Sequence, residues 1–167
     1  LNAEADSGYI RDRSVFGDDI NIEDTMGVIV KYNTKAILTY SLNSYMPWEG
    51  YVVSFNGSKG RIEYKTIEKS YINAGGEKSD EGASKGTWIT VHPMFGAPYE
   101  ATFVEGKGGH GGGDNVMLND IFGNPEPDKF KRAASHVDGA MSILTGIAAN
   151  KAIASGMPVN IESLVKF

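Results

Sequence analysis

Gly106-Lys107-Gly108-Gly109-His110-Gly111-Gly112-Gly113-Asp114 is the stretch that decides how this chain is read. Between Gly106 and Gly113 only Lys107 and His110 are not glycine, so the run has almost nothing to pack. Glycine loses the most backbone freedom on folding. A cluster of it therefore serves tight backbone geometry or close approach to a ligand. An alternating apolar run, residues 99–104, precedes it, and a short amphipathic run, residues 115–122, follows. The segment thus sits at a strand-to-helix turn, where loops often carry function.

Gly106-x-Gly108-x-x-Gly111 also matches a dinucleotide-binding fingerprint, with Asp128 near the place of its ribose-binding acid. That fingerprint needs a second parallel strand after its helix. Here Gly123-Asn124-Pro125-Glu126-Pro127-Asp128 follows, and then a long helix. No apolar strand stands in the required place, and a glycine-rich run produces such matches by chance. The doubly wound reading is rejected.

Downstream, Asp114 is placed to cap the helix over residues 115–122. Val137, Ala140, Met141, Leu144, Ile147 and Ala148 recur at helical spacing and make one apolar stripe. Ser135-x-x-Asp138 resembles a capping box with Asp in place of Glu. Gly156 and Pro158 stop the helix, and residues 158–161 read as a short extended segment.

Upstream, strands are expected over residues 27–32, 36–44, 51–55, 61–69, 87–92 and 99–105. Asn33-Thr34-Lys35 and Asn56-Gly57-Ser58-Lys59-Gly60 supply turns. Residues 75–86 read as a mobile polar excursion. Residues 1–24 are polar, with an acidic run at 18–24, and read as a linker or arm leading into a domain over residues 25–167. Short turns between consecutive strands imply antiparallel pairing. Strands first and helices afterwards predict an α+β fold: an open, mainly antiparallel or mixed sheet of about six strands, with helices packed on one face. One helical stripe cannot cover both faces. The other face, carrying Tyr and Trp, is a candidate surface for self-association.

The 167 residues fit one domain, and the net charge of −5 gives no reason to expect nucleic acid. No apolar run approaches the ~18 residues of a membrane span. Zero cysteines exclude disulfides and zinc-thiolate sites. No His/Asp/Glu cluster has metal-ligand spacing. The chain starts at Leu1 rather than Met, which suggests a fragment or a processed product.

Gly108-Gly109-His110-Gly111-Gly112-Gly113-Asp114 with Met117-Leu118-x-Asp120, and the long segment from Ser135-His136-Val137-Asp138-Gly139 to Ser155-Gly156-Met157-Pro158-Val159, look familiar together. With Asn56-Gly57-Ser58-Lys59-Gly60-Arg61, they make the chain resemble the C-terminal domain of the glucose–fructose oxidoreductase / inositol dehydrogenase (Gfo/Idh/MocA) family. The resemblance covers roughly residues 24–165. It implies a parent oxidoreductase whose N-terminal Rossmann domain binds NAD or NADP and which moves a hydride at a sugar or polyol hydroxyl. The C-terminal domain of such enzymes holds part of the substrate site and builds dimers or tetramers through its open sheet. The family's Glu-Lys-Pro lysine does not occur here. Its Asp-x-x-x-His pair has no counterpart at His92, His110 or His136, whose residues four positions earlier are Trp88, Gly106 and Arg132. This stretch alone is therefore expected to bind no cofactor and to be inactive.

His110 is the leading site residue. An imidazole in a glycine loop can hydrogen-bond a sugar hydroxyl or assist proton transfer, and its bland alternative is a surface loop histidine. Asp114 reads first as the helix N-cap and second as a ligand for a substrate hydroxyl. Tyr45 and Trp48 flank Pro47 and can stack on a sugar ring or pack against protein. His92 and His136 read as structural, and Lys59 and Arg61 as hairpin charges. The resulting expectation is a substrate-binding and oligomerisation domain of an NAD(P)-dependent oxidoreductase. The alternatives are a non-catalytic carbohydrate-binding or assembly module, or part of an NAD-dependent glycoside hydrolase.

Overall fold

A computed structural model describes residues 2–10, 13–14, 16–69, 86–104 and 106–165. The chain divides into two compact units, Leu1–Met46 and Pro47–Phe167.

The first unit begins with helix α1 (Asn2–Ser7), inside the stretch read as an arm. Strands β1 (Thr25–Lys31) and β2 (Ile37–Asn43) form an antiparallel hairpin, paired from Thr25↔Asn43 to Lys31↔Ile37. Met26, Val28 and Val30 are half-buried while their neighbours are exposed, the period of two that a strand imposes. Their partners Leu42, Tyr40 and Leu38 share that face. The turn closes with Lys35 N donating to the Tyr32 carbonyl at 2.9 Å, and Lys35 sits in the left-handed region at φ 71°.

The second unit holds β3 (Glu49–Gly57), β4 (Gly60–Lys69), β5 (Gly86–Pro93) and β6 (Tyr99–Glu100). They form an antiparallel sheet in the order β3-β4-β5-β6. Six described strands, antiparallel throughout, and helices after them bear out the expected α+β class; the strands pair as two sheets, of two and four, rather than as one. β6 has two residues rather than the seven read from the alternation. Of the excursion expected over residues 75–86, residues 75–85 lie outside the described residues, and Gly86 instead opens β5.

Gly57↔Gly60 pairing leaves Ser58 and Lys59 as a two-residue turn and sets the β3–β4 register as far as the irregularity at Glu49/Gly50. Gly60, at φ 146°, approaches β5 so closely that a Cβ would run into the His92 carbonyl oxygen.

That register gives the sheet two unlike faces, because directly opposed residues point the same way. One face carries Tyr51, Val53 and Phe55 beside Ile62, Tyr64 and Thr66, then Ile89, Val91 and Tyr99. Tyr51 and Tyr64 stack there with centroids 5.6 Å apart, and Phe55 is 64% exposed. The other face is polar. Arg61 donates to Glu63 at 2.7 Å, Asn56 at 2.9 Å and Ser54 at 2.8 Å. Trp88 lies opposite Lys65 on this polar face, so the expected single face bearing both Tyr and Trp does not exist within this sheet.

Helices α2 (Gly113–Phe122) and α3 (His136–Ser155) complete the unit. The capping box at the start of α3 is present. Asp138 N donates to Ser135 Oγ at 3.3 Å, and Ser135 N donates to Asp138 Oδ2 at 2.8 Å. Gly156 ends the helix in the left-handed region at φ 67°. The least exposed line of α3 runs Ala140, Leu144, Thr145, Ala148, Ala149 and Ala152. It is rotated from the expected stripe, whose Val137, Met141 and Ile147 remain exposed. Ala148 and Thr66 are the buried residues among those described. Of the extended segment expected over residues 158–161, only Ile161 departs: residues 161–163 form a 3-10 turn, capped by Asn160 Oδ1, which accepts from Glu162 N at 3.0 Å.

Candidate functional site

The glycine loop is a closed backbone device. Residues 109–112 form a 3-10 turn that leads directly into α2. His110, Gly111 and Gly112 are three consecutive left-handed residues, at φ 51°, 65° and 87°. The loop returns on itself: a Cβ on Gly106 would collide with the Gly111 carbonyl oxygen. Glycine is required there by close approach. His110 is the one residue of the three with a side chain. An L-residue in this region costs roughly 1–2 kcal/mol, and such strain clusters at functional sites.

The left-handed turn moves the start of the helix. Gly112 is the N-cap of α2 and makes no side-chain cap bond. Asp114 therefore lies within the first helical turn, and its expected capping role is corrected. Its carboxylate is used otherwise: His110 Nδ1 and Asp114 Oδ1 are 2.9 Å apart. A carboxylate only accepts, so the imidazole donates from Nδ1. The position at a helix N-terminus also favours the negative charge of Asp114. The His110 side chain is 88% exposed.

Tyr45 belongs to the first unit, where it stacks on Phe16 with centroids 5.3 Å apart. Trp48 precedes β3, and its ring lies over Gly50, where a Cβ would sit 2.7 Å from Cζ3. Of the four expected residues, His110 and Asp114 are the two that the described contacts bring together.

Asp128, the false ribose acid, is committed to its own turn. It accepts from Ala133 N at 2.8 Å, Phe130 N at 3.2 Å and Arg132 Nε at 3.4 Å. The Ala133 amide above all holds its carboxyl below the usual carboxylate range. His136 opens α3. His92 Nε2 lies 3.8 Å from Glu63 Oε2 on the polar sheet face. Arg61, read as a hairpin charge, ties β3 and β4 together. A concavity of about 370 Å3 on that face is lined by Glu63, Lys65, Trp88, Thr90 and Glu100, with Val52 and Ile67. Hydrophobic alternation within single strands gave no sign of it, because cross-strand register assembles it. Among the described residues, no group of three or more His, Asp or Glu is placed to hold a metal ion. Among the described residues, no helix is long and apolar enough to cross a membrane.

With fold and site described, comparison with known proteins gives the family. Residues 3–161 match the model of the oxidoreductase family's C-terminal alpha/beta domain. The chain belongs to the Gfo/Idh/MocA oxidoreductase family, as a C-terminal alpha/beta domain. It is 34% identical over 160 residues to the "Putative oxidoreductase YteT" of Bacillus subtilis (strain 168), a match covering 95% of this chain. The chain spans 36% of that relative's length. No solved structure matches it significantly.

Proposed function

We propose that this chain is the substrate-side and assembly domain of an NAD(P)-dependent oxidoreductase acting on a sugar or polyol hydroxyl. The observation that carries the reading is the His110–Asp114 pair, presented on a strained glycine loop at the start of α2. An imidazole fixed in this way has one nitrogen free for a hydroxyl group. Family members typically use nicotinamide cofactors, and a Rossmann domain in the same polypeptide would supply that cofactor. The apolar sheet face, with Tyr51, Phe55, Ile62 and Tyr99 exposed, would pair with a second copy. The test is NAD+ or NADP+ reduction by the full-length protein with a panel of aldoses, ketoses and cyclic polyols. Turnover with a panel member supports the reading, and its absence throughout the panel overturns it.

One observation favours a second reading. Trp88 lines the polar concavity together with Glu63, Lys65 and Glu100, an aromatic ring beside hydrogen-bonding groups of the kind that hold sugars. A carbohydrate-binding module without redox activity would bind sugar there. Saturable sugar binding that is abolished by Trp88→Ala, with no turnover, would favour it.

A further inference from the structure

We infer that the polar face of the four-stranded sheet carries a site for a neutral, unphosphorylated saccharide, whose ring meets Trp88 and whose hydroxyls bind Glu63, Thr90 and Glu100. The inference takes up the carbohydrate reading of that concavity and carries it further. It names the charge class of the ligand, and it holds whether or not the full-length protein reduces nicotinamide.

Register builds the site. Glu63, Thr90 and Glu100 stand opposite one another on β4, β5 and β6, and Lys65 stands opposite Trp88 one step along the same face. β6 pairs with Thr90 and Val91 and stops, so Trp88 lies beyond its end. The concavity holds about 370 Å3. That is the small end of ligand pockets, which run from about 300 to 1,000 Å3, and it suits a monosaccharide.

Two neighbours fix the indole. Gly86, two residues earlier on β5, leaves room for it: a Cβ there would lie 3.0 Å from Cη2 and 3.1 Å from Cζ2. Lys65 Nζ lies 6.0 Å from the ring centroid, at the reach of a cation–π contact. A fixed aromatic ring beside polar groups matches a pyranose, which has apolar C–H faces and a rim of hydroxyls.

The charges select a neutral ligand. Two carboxylates and one ammonium line the concavity. Arg61, on the same face, offers an anion little: its Nε donates to Glu63, its Nη1 to Asn56 and its Nη2 to Ser54. His92 Nε2 is buried and so is closed to a ligand. A phosphate or a uronate would therefore meet a lining of net negative charge. Hydroxyls can donate to Glu100 and to Glu63 Oε2, since Arg61 holds Oε1, and can accept from Lys65.

Proton–nitrogen correlation of the indole N–H groups in the full-length, 15N-labelled protein tests this, with Trp88 assigned by its loss in Trp88→Phe. The titrants are the methyl glycosides of glucose, galactose, mannose, xylose and rhamnose, then glucuronate, galacturonate and glucose 6-phosphate. No nicotinamide is present, so failure here leaves the oxidoreductase reading untouched. The expected result is a saturable shift of the Trp88 resonance with at least one neutral glycoside, retained in His110→Asn, and none with the anions over the same range. Glu100→Lys removes an acceptor at an exposed edge, and should raise the Kd read from that resonance about 10-fold. Gly86→Ala, whose methyl displaces the ring, should also raise it. A Trp88 resonance that no neutral glycoside moves, or that the anions move at lower concentration, overturns the inference. So does a Kd unchanged in both variants.

Discussion

His110 and Asp114, four residues apart, meet at 2.9 Å although only Asp114 is in a helix. The contact exists because three left-handed residues turn the chain sharply before α2 begins at Gly113. Backbone geometry, rather than helical periodicity, makes the pair.

The loop should therefore be more sensitive at Gly106 than at Gly111. A methyl on Gly106 meets the Gly111 carbonyl oxygen, whereas one on Gly111 meets nothing within 4 Å and adds only the strain of φ 65°. Gly111→Ala is expected to cost roughly 1–2 kcal/mol. Gly106→Ala should open the loop and separate His110 from Asp114. Hydrogen exchange at the first-turn amides of α2 measures this, with faster exchange expected in Gly106→Ala. Equal behaviour of the two variants would count against the closed loop.

The N-terminus of α3 should depend on its capping box. Ser135→Ala removes the acceptor for Asp138 N and is expected to cost about 1 kcal/mol. Urea denaturation measures it, and a change within error would show that the cap is not coupled to global unfolding.

Acid should loosen two local structures. The Ser135 backbone amide, then its hydroxyl, holds the Asp138 carboxyl below the usual range. The Ala133 amide does the same for Asp128. Both folded pKa values lie below the unfolded value of about 3.9. Their stabilisation is thus complete above that value and is lost as pH falls through the folded pKa. The protection of the Ser135 and Ala133 amides, taken relative to the unstructured exchange rate at the same pH, should fall below about pH 4. Asp138→Asn should remove that dependence at Ser135 alone.

The apolar sheet face should carry self-association. Phe55 is 64% exposed and Tyr51 51%, so a charge there costs the monomer little. Phe55→Lys is expected to shift the full-length protein toward smaller assemblies in sedimentation velocity, with an unchanged melting temperature for the monomer. Unchanged assembly would place the interface elsewhere.

What was legible in the chain was what local physics decides. Ser135, Asp138 and Gly156 announced both ends of α3, because capping and left-handed termination involve residues within a few positions of one another. The β3–β4 hairpin followed from its turn residues. What was not legible required positions that sequence spacing does not encode. The N-cap was misread because residues 110–112 are all left-handed, which displaces the helix start by two residues. The expectation of one face bearing both Tyr and Trp failed because alternation gives no register between strands. The pairing of β4 with β5 sets Trp88 opposite Lys65, away from Tyr51, Tyr64 and Tyr99. The Tyr45–Trp48 interruption was read as a break between neighbouring strands of one sheet, yet the chain divides there into two units.

The most direct test of the account is reduction of NAD+ or NADP+ by the full-length protein with the sugar and polyol panel, wild type against His110→Asn. Nicotinamide reduction by the wild type, lost about 100-fold in the variant while its melting temperature is retained, is the predicted result. Sugar binding without any nicotinamide reduction, equal in both proteins, would contradict it and leave a binding module.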